Sequence, residues 1–419
     1  MLRLRCIALT ATASQPGPLI SQRPPDRRLR AEVLGAGPTG ALTALALADA
    51  GWSVTLCDPL TADQLGARSR AYAFNHSSRQ LLERLGLWAE MEAVMVPFRR
   101  LELGDLATGA VVSFASADLP PRCRRPGADA VGWIGLHGPL TALLLRLLQR
   151  HPAIDLSLGQ AAQPAPAASP AGPERAGLAG EPDLLVAADG PHSGRREALG
   201  IGLWHLAYRQ SCLTAQVELR GSGDDQAWEL FRPEGPFAVL PLGQGRFQLV
   251  WSAPARRCRQ LESLPPGAFL DRLAAALPDR FQPDALLDEP RAFPLALQLA
   301  RRLASGHTVL VGESAHRCHP VGGQGLNLCW RDVAVLHRQA RRVAAGRLPA
   351  ERLPAAYAWR RWPDLLLTLL ATDLLMRLFS NRALALLPLR RAALALLAAL
   401  PPLRRFSLGV MSQGPCRQL

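Results

Sequence analysis

Three clusters of residues in this sequence have the types and spacing to hold a nucleotide. The first is Gly35-Ala-Gly37-Pro-Thr-Gly40. Gly35 suits the tight turn that ends a strand, Gly37 lets backbone approach a pyrophosphate, and Gly40 lets the following helix pack closely on that strand. The first amides of the helix are free to meet phosphate oxygens. Asp58 lies 23 residues after Gly35, at the end of a second strand, where an acid binds ribose hydroxyls. Strand, helix and acid together specify a dinucleotide, without separating FAD from NAD.

The second cluster is Asp189-Gly190-Pro-His-Ser-Gly-Arg195-Arg196, at the end of an apolar strand. An Asp on such a turn can fix the loop or accept from ribose, and Arg196 can anchor it or meet phosphate. A plain β-turn leading into a helix accounts for the same residues. The third cluster runs from Gly312-Glu313 through His316, Cys318 and His319 to Pro320-Val-Gly322-Gly323-Gln-Gly325-Leu326-Asn327. A strand delivers an acid, a glycine-rich turn lets backbone touch a flat ring, and the new helix aims its positive end at that ring. The His and Cys spacing is not that of a zinc pair and no second ligand cluster appears, so no metal is expected.

The elements around these clusters read as follows. Segments 31–34, 38–50 and 53–57 form a β-α-β unit, with Gly51 ending the helix. Segments 77–87 and 140–149 read as amphipathic helices. Segment 160–182 is rich in Ala, Pro and Gly and reads as a solvated loop before an apolar strand at 183–188. Short strands at 213–219, 237–240 and 246–251, separated by Gly/Pro turns, predict an antiparallel sheet. A buried strand at 308–312, a long helix at 325–343 and a Leu- and Ala-rich helical tail from 355 complete the reading.

Bulk composition excludes several chemistries. Net charge is +14, and all 48 basic residues are arginine. Without lysine, Schiff-base enzymes and P-loop NTPases are ruled out. The arginines are scattered and aromatics make up only 5%, so nucleic-acid binding is not expected. The eight cysteines form no C-x-x-C pair, which fits a reducing compartment. The first thirty residues read as a disordered extension or a misplaced start. No run of 18 uncharged apolar residues occurs.

Taken in this order and at these separations, the three clusters resemble the class A FAD-dependent monooxygenases of the para-hydroxybenzoate hydroxylase type, and most closely the ubiquinone-biosynthesis (2-polyprenylphenol) hydroxylases. The segments Arg70-Ala-Tyr-Ala-Phe with Leu81–Trp88, Gly235–Leu242 with Leu249–Ser252, and Phe293-Pro-Leu295 are similar to the same family. The resemblance spans roughly residues 31–410. It departs at Glu313 (the family has Asp), Ser314 (Ala), Cys329 (Gly) and His137-Gly138-Pro139, where a more polar stretch is expected.

The resemblance implies an α/β fold with α+β elements. A Rossmann-like FAD-binding domain would comprise 31–205 and 293–350, an antiparallel-sheet substrate domain 206–292, and a helical C-terminal segment 351–419. It implies FAD as cofactor, NAD(P)H as co-substrate, O2, and an aromatic or prenylated phenol as substrate. The cofactor contacts would be Gly35, Gly37, Gly40, Asp58, Arg70, Asp189, Gly190, Arg196, Glu313, Pro320, Gly322, Gly323, Gly325, Leu326 and Asn327. No catalytic residue is named by it; His319 stands near the ring by sequence, where a packing or capping role serves equally. Two rival readings stay open: another flavin oxidoreductase such as a reductase or epoxidase, and a non-catalytic FAD-binding subunit of a quinone-biosynthesis complex. The expected location is cytoplasmic, with peripheral contact to the inner face of a membrane.

Overall fold

A computed structural model describes residues 28–124, 129–160 and 181–416. Most of the expected extension 1–30 and of the loop 160–182 lies outside the described residues.

The first sheet has six strands in the order Ala304–Ser305, Thr308–Leu310, Leu184–Ala187, Arg30–Leu34, Ser53–Asp58, Ile154–Leu158. All neighbours are parallel except the short first pair. Near-continuous apolar strands such as Leu184–Ala187 are buried on both faces, as parallel strands require. Register matters most here: Leu34 lies opposite both Cys57 and Ala187, and Ala187 opposite Leu310. Four strands therefore end at one edge, where Gly35, Asp58, Ala188 and Val311 follow. The helix Pro38–Asp49 starts with Pro at its first turn and is buried from Gly40 to Ala48. Its apolar, alanine-rich surface lets it lie between this sheet and the helix Gln324–Ala344.

The second sheet has the path His316–Arg317, Arg291–Ala300, Leu203–Arg220, Arg246–Pro254, Phe237–Gly243, Gln226–Phe231, Arg100–Asp105, Ala110–Ala115, and Gln282–Leu286 pairs with the end of Leu203–Arg220. It extends past the expected 206–292 at both ends and recruits the hairpin 100–115 through a parallel pairing of Arg100–Asp105 with Gln226–Phe231. Such a pairing leaves no local pattern to read. The 18-residue strand Leu203–Arg220 shifts register between Ala207 and Ser211, where Arg209 has φ 54°. A three-stranded antiparallel sheet, Ala71–Phe74, Gly132–Leu136 and Met95–Phe98, packs against Phe237–Gly243 of the second sheet and against the helix Gln324–Ala344.

The helices Leu353–Phe379, Leu387–Ala399 and Pro401–Gln413 close the molecule. A buried ion network fastens the first of them to Gln324–Ala344. Arg361 Nε donates to Asp332 (2.6 Å), Arg361 Nη1 to Asp364 (2.6 Å), and Arg331 Nε to Asp364 (2.8 Å). These side chains are essentially without solvent contact. Burial pushes the Asp332 carboxyl up, but His316 and Arg361 outweigh it and hold it below the usual carboxylate range. Asp332 also accepts the Gly312 amide (2.8 Å) and meets His316 Nε2 (2.7 Å). The network thus fixes the third motif as well as the helices.

Candidate cofactor and substrate cleft

One cavity of about 1890 Å³ runs along the carboxyl edge of the parallel sheet and beneath the second sheet. A single small ligand needs roughly 300–1,000 Å³, so there is room for a dinucleotide and a second molecule. All the sequence-predicted contacts line it except Gly40, Arg196 and Asn327.

The first turn is built by close approach. Gly35 has φ +101°, and a Cβ there would lie 2.5 Å from the Ala188 carbonyl oxygen; a Cβ at Gly40 would lie 1.8 Å from the Gly35 oxygen. Glycine is therefore obligatory at both. At Gly37 nothing lies within 4 Å of a built Cβ, so the helix amides face open cavity. Asp58 Oδ2 accepts the Ala36 amide (2.7 Å) and Oδ1 the Leu60 amide (2.8 Å), tying the strand end to the glycine turn. Each oxygen retains a second lone pair.

The second turn carries Asp189, whose Oδ2 accepts the Arg195 amide (3.2 Å) while Oδ1 is buried without a partner. Ser193 caps the helix Gly194–Ala198. Arg196 is buried behind the wall: Nη1 donates to the carbonyls of Pro191 (3.1 Å) and Ser314 (3.3 Å), so it joins the second motif to the third. Its neighbour Arg195 lines the cavity instead.

In the third motif Glu313 is half-buried and makes no hydrogen bond among the described residues. Ser314, where the family has Ala, donates to the Ala187 carbonyl (2.6 Å) and stitches the motif to the sheet. Gly322 and Gly323 have φ +67° and +62°, and Gly323 caps Gln324–Ala344, whose positive end faces the cavity. Open space surrounds built Cβ atoms at Gly322 and Gly325. Asn327 is internal: Nδ2 donates to the Ala73 and Gly323 carbonyls (both 2.7 Å), and Oδ1 accepts the Asn75 amide (3.0 Å). It welds the glycine loop to the strand Ala71–Phe74. His319 lies off the cavity. Its Nδ1 accepts the Val321 amide (3.2 Å), and burial drives its pKa down to about 4, so it is a neutral packing group.

Arg70 lies 5.3 Å over the Tyr72 ring, and its Nε is buried without a partner. Tyr72 O–H donates to His137 Nδ1 (2.9 Å), and His137 Nε2–H donates to the Leu65 carbonyl (2.7 Å), a tautomer set by these partners. Burial lowers His137 to about 4. The His137-Gly138-Pro139 departure thus opens the helix His137–Arg150 and supports the cavity wall.

Beyond the glycine loop the walls turn apolar: Phe98, Leu101, Leu103, Ala238, Leu240 and Val250. Thr214 and Arg291 lie farther along the same sheet, and Glu229 is the acid set among the apolar residues. It is buried, its Oε2 accepts the Gly322 amide (3.3 Å), and burial pushes its carboxyl up to about 7. Sequence reasoning passed over it, although a lone acid inside the apolar run Ala227-Trp-Glu229-Leu-Phe231 is a signal. Met411, from Pro401–Gln413, also lines this end; its carbonyl accepts from Asn75 Nδ2 (2.8 Å) and Gln324 Nε2 (3.1 Å).

The donor set fits FAD. Unpartnered Arg70 Nε and Asp189 Oδ1, the free Glu313 carboxylate and the open glycine positions offer a cation, acceptors and bare backbone along one cleft. Among the described residues no cluster of three His, Cys, Asp or Glu side chains could hold a metal.

A parallel sheet bearing three such turns, roofed by a second sheet, defines a dinucleotide-dependent oxidoreductase. The sequence matches the FAD binding domain family over residues 28–109 and 178–362, and the chain belongs to that family. It is 32% identical to the ubiquinone hydroxylase UbiL of Rhodospirillum rubrum, over 98% of this chain and 96% of that one. It is 32% identical to the 3-demethoxyubiquinol 3-hydroxylase of Escherichia coli, over 73% and 77%. The fold is similar to PqsL of Pseudomonas aeruginosa (TM-score 0.70, 20% identity, 88% of this chain and 100% of that one). It is equally similar to HpxO of Klebsiella pneumoniae complexed with FAD and uric acid (TM-score 0.70, 20% identity, 93% and 98%).

Proposed function

We propose that the protein is an FAD-dependent aromatic hydroxylase that uses NAD(P)H and O2 on a polyprenylphenol in ubiquinone biosynthesis. The observation that carries this is the cavity itself, polar and glycine-lined at one end, apolar at the other, with the glycine loop between. The names of the 32%-identical relatives support the substrate class.

Bound FAD supplies the redox chemistry by which a reduced nicotinamide and O2 place one oxygen atom on an electron-rich ring. The chain supplies position and environment. Gly37 and the helix amides receive the pyrophosphate, with Arg70 as counter-charge. Asp58, Asp189 and Glu313 accept ribose and ribityl hydroxyls. Pro320, Gly322, Gly323, Gly325 and Leu326 would hold the ring, and the start of Gln324–Ala344 would stabilise negative charge there. Phe98, Leu101, Leu103 and Leu240 hold the phenol and exclude water, which strengthens every electrostatic contact inside.

A visible spectrum of the purified protein tests the reading, followed by NADPH, then NADH, with dissolved O2 monitored. Flavin bands that bleach and recover as O2 falls, faster with a prenylated phenol, are expected. Absence of flavin bands after added FAD would overturn the proposal.

Peripheral contact with the inner face of a membrane is part of the same proposal. Leu366, Leu370 and Leu374 form one stripe on Leu353–Phe379, and Leu370 and Leu374 are 64% and 65% exposed; Trp359, Leu384 and Phe406 are more exposed than half. Arg382, Arg391 and Arg405 are exposed on the same C-terminal segment. Exposed leucines and arginines on one helical segment suit an anionic bilayer surface. Among the described residues no single helix is long and apolar enough to cross a membrane. Flotation with anionic liposomes is expected, and a Leu370→Glu/Leu374→Glu variant should lose it. A wild-type protein that stays unbound would overturn the membrane reading of this face.

A further inference from the structure

We propose that Glu229 is the group that receives the hydroxyl proton of the phenol, and so sets which ionisation state of the substrate meets the reactive end of the cleft. This rests on the hydroxylase reading above and adds a residue to it.

Three observations place Glu229 for this role. It stands on Gln226–Phe231 between Leu103 and Ala238, its register partners on the neighbouring strands, with Val250 next along the row, so its immediate surroundings are apolar. Its Oε2 is held by the Gly322 amide, so the carboxyl sits against the loop that faces the ring. Its other oxygen, Oε1, has no hydrogen-bond partner among the described residues, so one acceptor is left over at the cavity. An acid buried among Leu and Ala serves no packing purpose there, because desolvating a carboxylate costs free energy that Gln or Leu would not incur.

The chemistry balances without a further reactant. The phenol O–H bond breaks, an O–H bond forms on Glu229 Oε1, and the electron pair stays on the phenolate oxygen, which activates the ring for attack by an electrophilic oxygen. An acid tuned to about 7 exchanges protons readily near neutral pH. The charged pair Arg291–Glu289 also lines the cavity, four strand pairings along the same row, and its members neutralise each other. Leu103, Ala238 and the Gly322 amide carry no charge. His319, behind the loop, is neutral. The Cys212 thiol, whose ionisation Glu229 opposes, is kept protonated by burial. Tyr72, which lines the same cavity, is likewise kept protonated by burial.

The test is equilibrium binding of 2-geranylphenol and of its methyl ether, 2-geranylanisole, to the FAD-loaded protein, followed by perturbation of the flavin spectrum from about pH 5.5 to about pH 8.5. Ionised Glu229 accepts the phenol's hydrogen bond and has nothing to accept from the ether. The wild-type preference for the phenol is therefore expected to rise with pH through about 7, reaching on the order of tenfold to a hundredfold, the range of a hydrogen bond to a charged acceptor. Glu229→Gln, with its flavin content unchanged, should show a smaller, pH-independent preference and about a hundredfold lower phenol-dependent turnover; Glu229→Asp should restore the pH dependence. A wild-type preference that does not vary with pH, or a Glu229→Gln curve that matches wild type, overturns the proposal. Failure of both ligands to bind overturns the hydroxylase reading of the chamber and this proposal with it, and is distinguished by that double absence.

Discussion

The two ends of the cleft are built on different principles. At the pyrophosphate end the walls are backbone: glycines whose φ or proximity admits no side chain, and carboxylates that hold amides. At the substrate end the walls are mostly side chains of Leu, Ala, Phe and Val, with Glu229 buried among them. Backbone packed as closely as at Gly35 and Gly40 admits no side chain, whereas an apolar wall can be repacked at small cost. A cofactor that never changes is met by the first kind of surface, and a substrate that differs between relatives by the second.

The contrast can be broken most severely at Gly40. Gly40→Ala puts a Cβ 1.8 Å from one backbone atom and 2.9 Å from another, neither of which can turn away. We expect a loss of more than about 4 kcal/mol and an apoprotein of low solubility, read by flavin absorbance and urea unfolding. Gly37→Ala meets nothing within 4 Å and should leave stability unchanged while weakening FAD; equal losses at both positions would show that the turn is structural only. Next in size is Arg361→Met, which removes the cation shared by two buried carboxylates, Asp332 and Asp364, and leaves them to His316 and Arg331. About 3–5 kcal/mol is expected in urea unfolding, and bound FAD should weaken because Asp332 holds the Gly312 amide.

The smallest effect near neutrality is with pH. Burial lowers His76, His137 and His319 from an ordinary 6.5 to about 4. The native state keeps them neutral while the unfolded chain takes up protons below 6.5, so stability is lost as pH falls from 6.5 towards 4. The urea midpoint should drop across that window. His319→Asn, whose Oδ1 can still accept the Val321 amide, should make the drop shallower.

This division also explains what the sequence made legible. A turn that requires glycine announces itself, so Gly35, Gly37, Gly322 and Gly323 could be read directly, and so could the strand ends that carry Asp58 and Asp189. Arg196 and Asn327 belong to the same motifs, yet their hydrogen bonds hold those motifs together from behind the cleft wall. Spacing locates a motif without saying which of its members face the ligand. The apolar wall was opaque because any strand offers alternating Leu and Ala, and the hairpin 100–115 enters through a pairing far away in sequence. Met411 reaches the cavity from another helix through two carbonyl contacts that no pattern encodes.

The parallel sheet carries one last consequence, in time. Its strand Arg30–Leu34 lies beside Leu184–Ala187, which in turn lies beside Thr308–Leu310. During synthesis the last of these emerges about 280 residues after the first. At about 5–20 residues per second the first glycine turn waits roughly 14–55 s for its sheet to be completed. The nucleotide cleft is therefore late to form on the ribosome, and the pace of translation through the second sheet governs when the nascent chain can first retain its cofactor.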